Sequence, residues 1–310
     1  MSDFRANLEL NFQPQIFSDS FEIFETTDDG SSRFTVAYNY EPLARQNGTQ
    51  GSANRVKRLA QEFATLPNSL PLSLSSSVFV RADTNRLDIM KFLITGPVNT
   101  PYENGCFLFD VYFPPEYPNA PPMVNLETTG RHTVRFNPNL YACGKVCLSL
   151  LNTWNGRPEE RWNAATSSFL QVLVSIQSLI LVDDPYFNEP GFQGSQNSAH
   201  GKAQSNNYNK ALFPSTINWA MLDLLRNPVP CFKDIIQRHF WMKRNEIMKQ
   251  VDRWTAEMGG IPLMMNLKTQ LAAEFLKLPV PEGLENFEID TPEMNKKILE
   301  DLTKKPMLPV

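Results

Sequence analysis

Cys143 and Cys147 stand four residues apart in the run RFNPNLYACGKVCLSLLNTW, which Pro138 and Gly144 break into loop-like pieces. Thiols at this spacing have four roles open to them: a metal pair, a disulfide, small buried hydrophobes, or a nucleophile. A zinc site needs about four Cys, His or acidic ligands at close quarters. No second cysteine pair exists here, and His132 is the one imidazole nearby in sequence, so no metal is expected. A disulfide is not expected either, in a chain read as intracellular. Free cysteine is commonly a buried hydrophobe, and Cys147 taken alone fits that role.

Its surroundings favour the nucleophile. A reactive thiol attacks as thiolate and needs access; Gly144 offers loop placement and Lys145 a local positive charge. Acyl transfer also needs a donor aimed at the developing oxyanion. Asn139, eight residues before Cys147 and just after Pro138, can turn its amide N–H to that place. The chain has three histidines, none placed in sequence to make the Cys–His pair of a hydrolase. The chemistry left is transfer between thioesters, which needs little acid–base help because thiol exchanges for thiol.

Such a loop needs elements to hold it. In RVKRLAQEFATL (55–66), Val56, Leu59, Phe63 and Leu66 fall on one helical face, with Arg55, Lys57 and Arg58 off it. Four segments rich in β-branched and aromatic residues follow at 78–83, 87–96, 106–114 and 123–128. Their short turn-forming intervals predict an antiparallel meander with one face on a helix. That helix is SSFLQVLVSIQSLILV (167–182), capped by its serines and apolar on nearly every side. The polar stretch 191–210 reads as mobile, and further helices are expected at 215–226, 231–258 and 266–278. Upstream, SFEIFETTDDGSSRFTVAYNYEP alternates around a DDG turn like a hairpin, and ARQNGTQGSAN reads as a linker.

Composition bounds the function. The 310 residues are 42% hydrophobic, enough for a core, and carry a formal charge of -4, which gives no support to a nucleic-acid or anionic-membrane surface. No apolar run approaches the ~20 residues that span a bilayer, and MSDFRANLEL lacks a secretory pattern. A cytoplasmic chain is expected.

Several ordered pieces resemble the ubiquitin-conjugating enzyme family over residues 53–192. KRLAQEF resembles its first helix, and ITGPVNTPYENGCFLFDVYFPPEYPNAPP its Gly-Pro, Pro-Tyr-x-x-Gly and Phe-Pro-x-x-Tyr-Pro-x-x-Pro-Pro signature. NPNLYACGKVCLSLL is similar to the active run His-Pro-Asn-x7-Cys-Leu, and DDPYFNEP to the crossover loop. NTWNGRPEERW and ILVDDPYFNEPGF are most like a branch of giant family members that also carry BIR repeats.

The resemblance implies an α+β fold: N-terminal helix, four-stranded antiparallel meander, central helix and C-terminal helices. It divides the chain into an extension and linker (1–52), a conjugating core (53–230) and a C-terminal helical extension with tail (231–310). By position, Cys147 accepts ubiquitin from the activating enzyme as a thioester, and Asn139 steadies the oxyanion when a substrate lysine attacks. Glu189 is the acidic residue near that lysine, and Arg55, Lys57 and Arg58 lie on the helix that meets the activating enzyme. The partners implied are ubiquitin, the activating enzyme, protein substrates and, optionally, a ubiquitin ligase. No cofactor is implied, since the activating enzyme uses the ATP.

There are departures. Asn137 replaces the family's structural histidine. Asn119 and Ala164 stand where ligase-docking loops often carry an aromatic and a proline, so a RING-type ligase is not implied. TWNGRPEER lengthens the chain beside the active residue, and Cys143 inherits no role. No Cys-x-x-Cys of a BIR module is present, so caspase inhibition is not implied, and the chain reads as the conjugating end alone. The rival expectation is an inactive scaffold that binds ubiquitin; retention of Cys147 with Asn139 weighs against it.

Overall fold

The computed structural model describes residues 18–27, 32–47, 52–282 and 284. Its centre is a five-stranded sheet formed by β1 (Ser18–Phe21), β4 (Val78–Asp83), β5 (Ile89–Thr95), β6 (Cys106–Tyr112) and β7 (Met123–Leu126), in that spatial order. The four later strands make the expected antiparallel meander, in register at Phe92↔Phe109 and Phe109↔Leu126. β1 was not expected. It adds to the edge as a parallel strand, Ser20 opposite Ala82. The hairpin appears as β2 (Phe24–Thr26) paired with β3 (Ser32–Phe34), Phe24 opposite Phe34. Its DDG turn lies outside the described residues, as do part of the linker and the tail beyond 284. Glu41–Asn47 forms a short helix, α1, that takes in the first residues of the expected linker.

Side chains alternate faces along a strand, and here both faces are covered. Val80, Phe92, Ile94, Phe107 and Phe109 point into one core with α3 (Phe169–Ser175) and with Leu140 and Val146 of the thiol-bearing run. Phe92 stacks on Phe109 at 4.5 Å, and Phe169 meets Phe92 edge-on at 6.1 Å. Phe79, Leu93, Cys106 and Leu108 face the other way, into a second core. That core is built with α4 (Ala199–Ile217), α5 (Lys233–Glu257) and α6 (Pro262–Phe275). The one-sided meander is therefore corrected. Every position of β4, β5 and β6 is buried, Arg81, Asp83, Lys91 and Asp110 included.

The second face also carries charge. Lys91 and Asp110 pair at 0% and 1% side-chain exposure. Lys91 also reaches Glu127 at 2.9 Å and donates to the Ala37 carbonyl at 2.8 Å. Asp110 accepts from the Asn39 N–H at 2.7 Å. A buried ion pair survives only when its remaining valences are filled, and the segment after β3 fills them.

Three helices depart from expectation. In α2 (Ala53–Thr65), Arg55, Leu59 and Glu62 are buried, whereas Val56 is 54% exposed. Buried acceptors turn the helix this way. Arg55 pairs with Asp88 at 3.2 Å and donates to the carbonyls of Phe113 (2.6 Å) and Pro114 (3.0 Å). Glu62 accepts from the Phe169 N–H at 2.7 Å and from the Tyr117 hydroxyl, joining α2 to the start of α3. Ser168 caps α3 in a reciprocal capping box with Gln171. A π turn (Ile176–Ile180) ends that helix, and Val174 and Leu179 remain exposed, so its apolar surface is not wholly enclosed. The second part of the polar stretch 191–210 forms the start of α4, from Ala199 and capped by Ser198. Its Gly201 and Ser205 face inward while Lys202 and Asn206 face solvent, a pattern that small and polar residues hide from a hydrophobicity reading.

Candidate active site

Residues 137–147 fold into a tight hairpin. Leu140 bridges Val146, and the Tyr141 N–H donates to Lys145 O at 3.0 Å. Gly144 makes the turn possible at φ +90°. A Cβ there would collide with the Asn125 side chain and stand 2.7 Å from Leu126 O, so the loop closes onto β7 only with glycine. Asn125 bridges Lys145, and the Leu126 N–H donates to Gly144 O at 2.7 Å.

This hairpin brings Asn139 against Cys147. The Cys147 N–H donates to Asn139 O at 2.9 Å, and Asn139 Nδ2 donates to Cys147 O at 2.8 Å. Beneath them Asn137 is fully buried with every polar valence used. Its Nδ2 donates to the Tyr102 hydroxyl (3.0 Å) and Ile180 O (2.8 Å). Its Oδ1 accepts from the Asn139 N–H (2.8 Å) and Asn188 Nδ2 (3.3 Å). One amide thus joins the thiol loop, the end of the central helix and the crossover loop.

Glu189 is carried by that crossover loop, which is anchored from two sides. Asn188 donates to Leu179 O at 3.1 Å, while Ser205 and Asn209 of α4 donate to Asp184 Oδ1 and Asp183 O at 2.5 and 2.7 Å. Arg135 holds the Glu189 carboxylate at 3.3 Å, donates to Pro138 O at 2.7 Å and lies 4.4 Å over the Tyr141 ring. Both ends of the Arg135–Glu189 pair are solvent-accessible, so it is exchangeable.

Cys147 is only 2% exposed, which corrects the expectation of an open thiol. Burial pushes its pKa above the ordinary thiol value, and Lys145 and Arg135 offset part of that rise. Cys143, by contrast, is exposed at the hairpin tip. Among the described residues, no group of three or more His, Cys, Asp and Glu is placed to hold a metal ion.

The basic trio of α2 does not form one surface. Arg55 is consumed inside the fold, as described above. Arg58 is half-buried and pairs with Glu62 at 2.8 Å; it also donates to Ser167 O. Lys57 alone is exposed. Three residues at the thiol were not singled out from sequence: Arg135, Tyr141 and Thr153. Arg135 and Tyr141 were in plain view beside the active run. Thr153 carries no local signal, because only a chain reversal brings it back.

A profile of the ubiquitin-conjugating enzyme family matches residues 58–213. A human protein named dual E2 ubiquitin-conjugating enzyme/E3 ubiquitin-protein ligase BIRC6 is 54% identical over 290 residues, 89% of this chain and 6% of that protein. The chain belongs to the ubiquitin-conjugating enzyme family. The enzyme class expected from the thiol and its setting is the class of this family, and the resemblance to its giant BIR-carrying branch is borne out. A Caenorhabditis elegans relative, named probable ubiquitin-conjugating enzyme protein 17, is 51% identical over 65% of this chain and 28% of its own length. An Arabidopsis thaliana relative, named probable ubiquitin-conjugating enzyme E2 26, is 35% identical over 93% of this chain and 50% of its own. The chain thus spans about 6% of the length of the human relative and half or less of the others. Among the described residues, no helix is long and apolar enough to cross a membrane.

Proposed function

We propose that this chain receives ubiquitin from the activating enzyme as a thioester on Cys147 Sγ and passes it to a substrate lysine. The observation that carries the reading is the mutual bonding of Asn139 and Cys147, which puts an amide donor beside the buried one of the loop's two thiols. In the transfer step the lysine nitrogen attacks the thioester carbonyl and a C–N bond forms. The C–S bond breaks and Cys147 leaves as thiolate. The amine's proton passes to solvent or to Glu189. The oxyanion formed on the way is met by Asn139 Nδ2, in this reading by the amide swinging from Cys147 O toward it.

Glu189 serves the incoming amine. A lysine is mostly protonated at neutral pH, with an ordinary pKa of about 10.4, and displaces Arg135 from the carboxylate to be oriented by it. The activating enzyme meets the exposed side of α2 at Lys57, with Arg58 at its border; Arg55, being buried, is withdrawn from that role. ATP is spent by the activating enzyme. Protein substrates and a separate ligase complete the set of partners, and a combined conjugating and ligase role is supported by the human relative's name.

The test is incubation with activating enzyme, ATP and ubiquitin, followed by gels with and without reducing agent. A ubiquitin adduct that reductant removes, and that free lysine discharges, is expected. Asn139→Ala should still charge but discharge about 10²–10³ more slowly, as for other oxyanion-hole donors. Absence of any adduct would end the reading, and equal discharge by Asn139→Ala would remove the amide from it.

A further inference from the structure

Four backbone polar groups flank the Cys147 side chain: Val146 O, the Cys147 N–H, Cys147 O and the Leu148 N–H. Asn139 satisfies the middle two. Thr153 satisfies the outer two. Its hydroxyl donates to Val146 O at 2.7 Å and accepts from the Leu148 N–H at 3.0 Å. Local structure explains how it arrives there. Ser149–Leu151 make one 3-10 turn, and Asn152 reverses the chain in the left-handed region at φ +55°, where asparagine is tolerated. The Thr153 N–H then closes onto Leu148 O at 3.3 Å. The nucleophile is thus held between two clamps.

The clamps are not equivalent. Asn139 uses a side-chain amide on Cys147 O, and the proposed transfer step takes that amide away. The hydrogen bonds of Thr153 go to the backbone of Val146 and Leu148 and not to the thiol, Asn139 or Glu189. We infer that Thr153 is the positioning residue that keeps the Cys147 strand in place while the Asn139 side chain leaves it to meet the oxyanion. The inference rests on the thioester reading above and adds to it a division of labour: one clamp moves and one stays.

The expected signature is a split between charging and discharge. Exchange between thiols makes smaller demands on the amide, so Asn139 keeps its hold on Cys147 O during charging. Thr153→Val keeps the shape and removes the hydroxyl with its bonds to Val146 O and to the Leu148 N–H and carbonyl. It should charge at a rate near wild type and discharge to lysine about tenfold more slowly, on the order of one hydrogen bond's net contribution, because only in discharge is the other clamp away. Thr153→Ser, which keeps the hydroxyl, should restore discharge. In an Asn139→Ala background the moving clamp is already absent in every state. There Thr153→Val should slow charging and discharge by the same factor.

The experiment is a double-mutant cycle on the full chain, with single-turnover charging and lysine discharge as separate readouts. Thr153→Ala is read in the same way should the valine variant fail to show a cooperative unfolding transition. Equal losses in charging and discharge in the otherwise wild-type chain would overturn the inference. So would unchanged discharge, or failure of Thr153→Ser to rescue. If the wild-type chain takes no ubiquitin on Cys147 at all, the reading of the preceding section has failed; if it charges normally and the split is missing, the role of Thr153 alone has.

Discussion

The reactivity of Cys147 is a balance between a cover that disfavours thiolate and two cations that favour it. Burial is the larger influence, so the thiol sits above its ordinary pKa despite Lys145 and Arg135. At neutral pH the thiolate is then the minor form, and charging should accelerate as pH rises through the thiol's titration. Removing Lys145 takes away a charge that stabilises the thiolate and leaves burial unopposed on that side. Lys145→Gln is therefore expected to move the charging-versus-pH profile to higher pH, with the displacement shrinking as salt is added, because Lys145 is exposed. Charging rates measured across pH at two ionic strengths check this; a profile that stays in place would mean Lys145 does not act on the thiol. Glu189 engages one of the two cations, Arg135.

At the scale of elements, the loop 97–105 between β5 and β6 is where the C-terminal helices grip the sheet. Asn104, in the left-handed region at φ +58°, donates to Gln250 Oε1 at 2.7 Å, and Gln250 Nε2 donates to Glu103 O at 2.7 Å. His239 donates from Nε2 to Asn104 O at 3.0 Å. Burial is the main reason its pKa falls from 6.5 to about 4, with Lys243 adding to the fall and the Asn104 bond and Glu246 opposing it. The unfolded chain therefore binds a proton near pH 6.5 that the folded chain refuses until about pH 4. His239 contributes its full stability above pH 6.5 and loses it progressively as pH falls toward 4, to a total of about 3 kcal/mol. Thermal melts from pH 7 to 4 should show a decline that His239→Gln flattens; parallel declines in both proteins would remove His239 as its source. These contacts were out of reach of sequence reasoning because each joins residues some 135 or more positions apart. The meander and central helix were legible, since their signals are local runs and periods. The inward turn of Arg55 was not, because only the buried partners Asp88 and Phe113 O reveal it.

The whole molecule is a sheet packed between two cores, one holding the thiol loop and the other roofed by α4, α5 and α6. No break in packing falls at residue 231, where the resemblance placed the start of the C-terminal extension. Phe232, Ile235 and Phe240 share a cluster with Phe79, Leu93 and Leu108 of the sheet, and Phe213 stacks on Trp254 at 4.3 Å. A chain cut after residue 230 would bare a face whose large side chains contribute roughly 1.5–3 kcal/mol each, against a total stability of about 5–15 kcal/mol. Such a truncation is expected to lose cooperative unfolding and to aggregate; a monomeric fragment with a sharp melt would show that the roof is dispensable. Family membership was legible at this scale because its signature pieces are local runs in a fixed order along residues 53–192, while the second core depends on packing across the chain. The account as a whole turns on Cys147 as the carrier of ubiquitin. The most direct measurement is the intact mass of the product formed with activating enzyme, ATP and ubiquitin, compared among wild type, Cys143→Ser and Cys147→Ser. One added ubiquitin, removed by thiol reductant, is expected for wild type and Cys143→Ser, with Cys147→Ser giving either a reductant-stable ester or no adduct. A reductant-sensitive adduct that persists in Cys147→Ser would contradict the account.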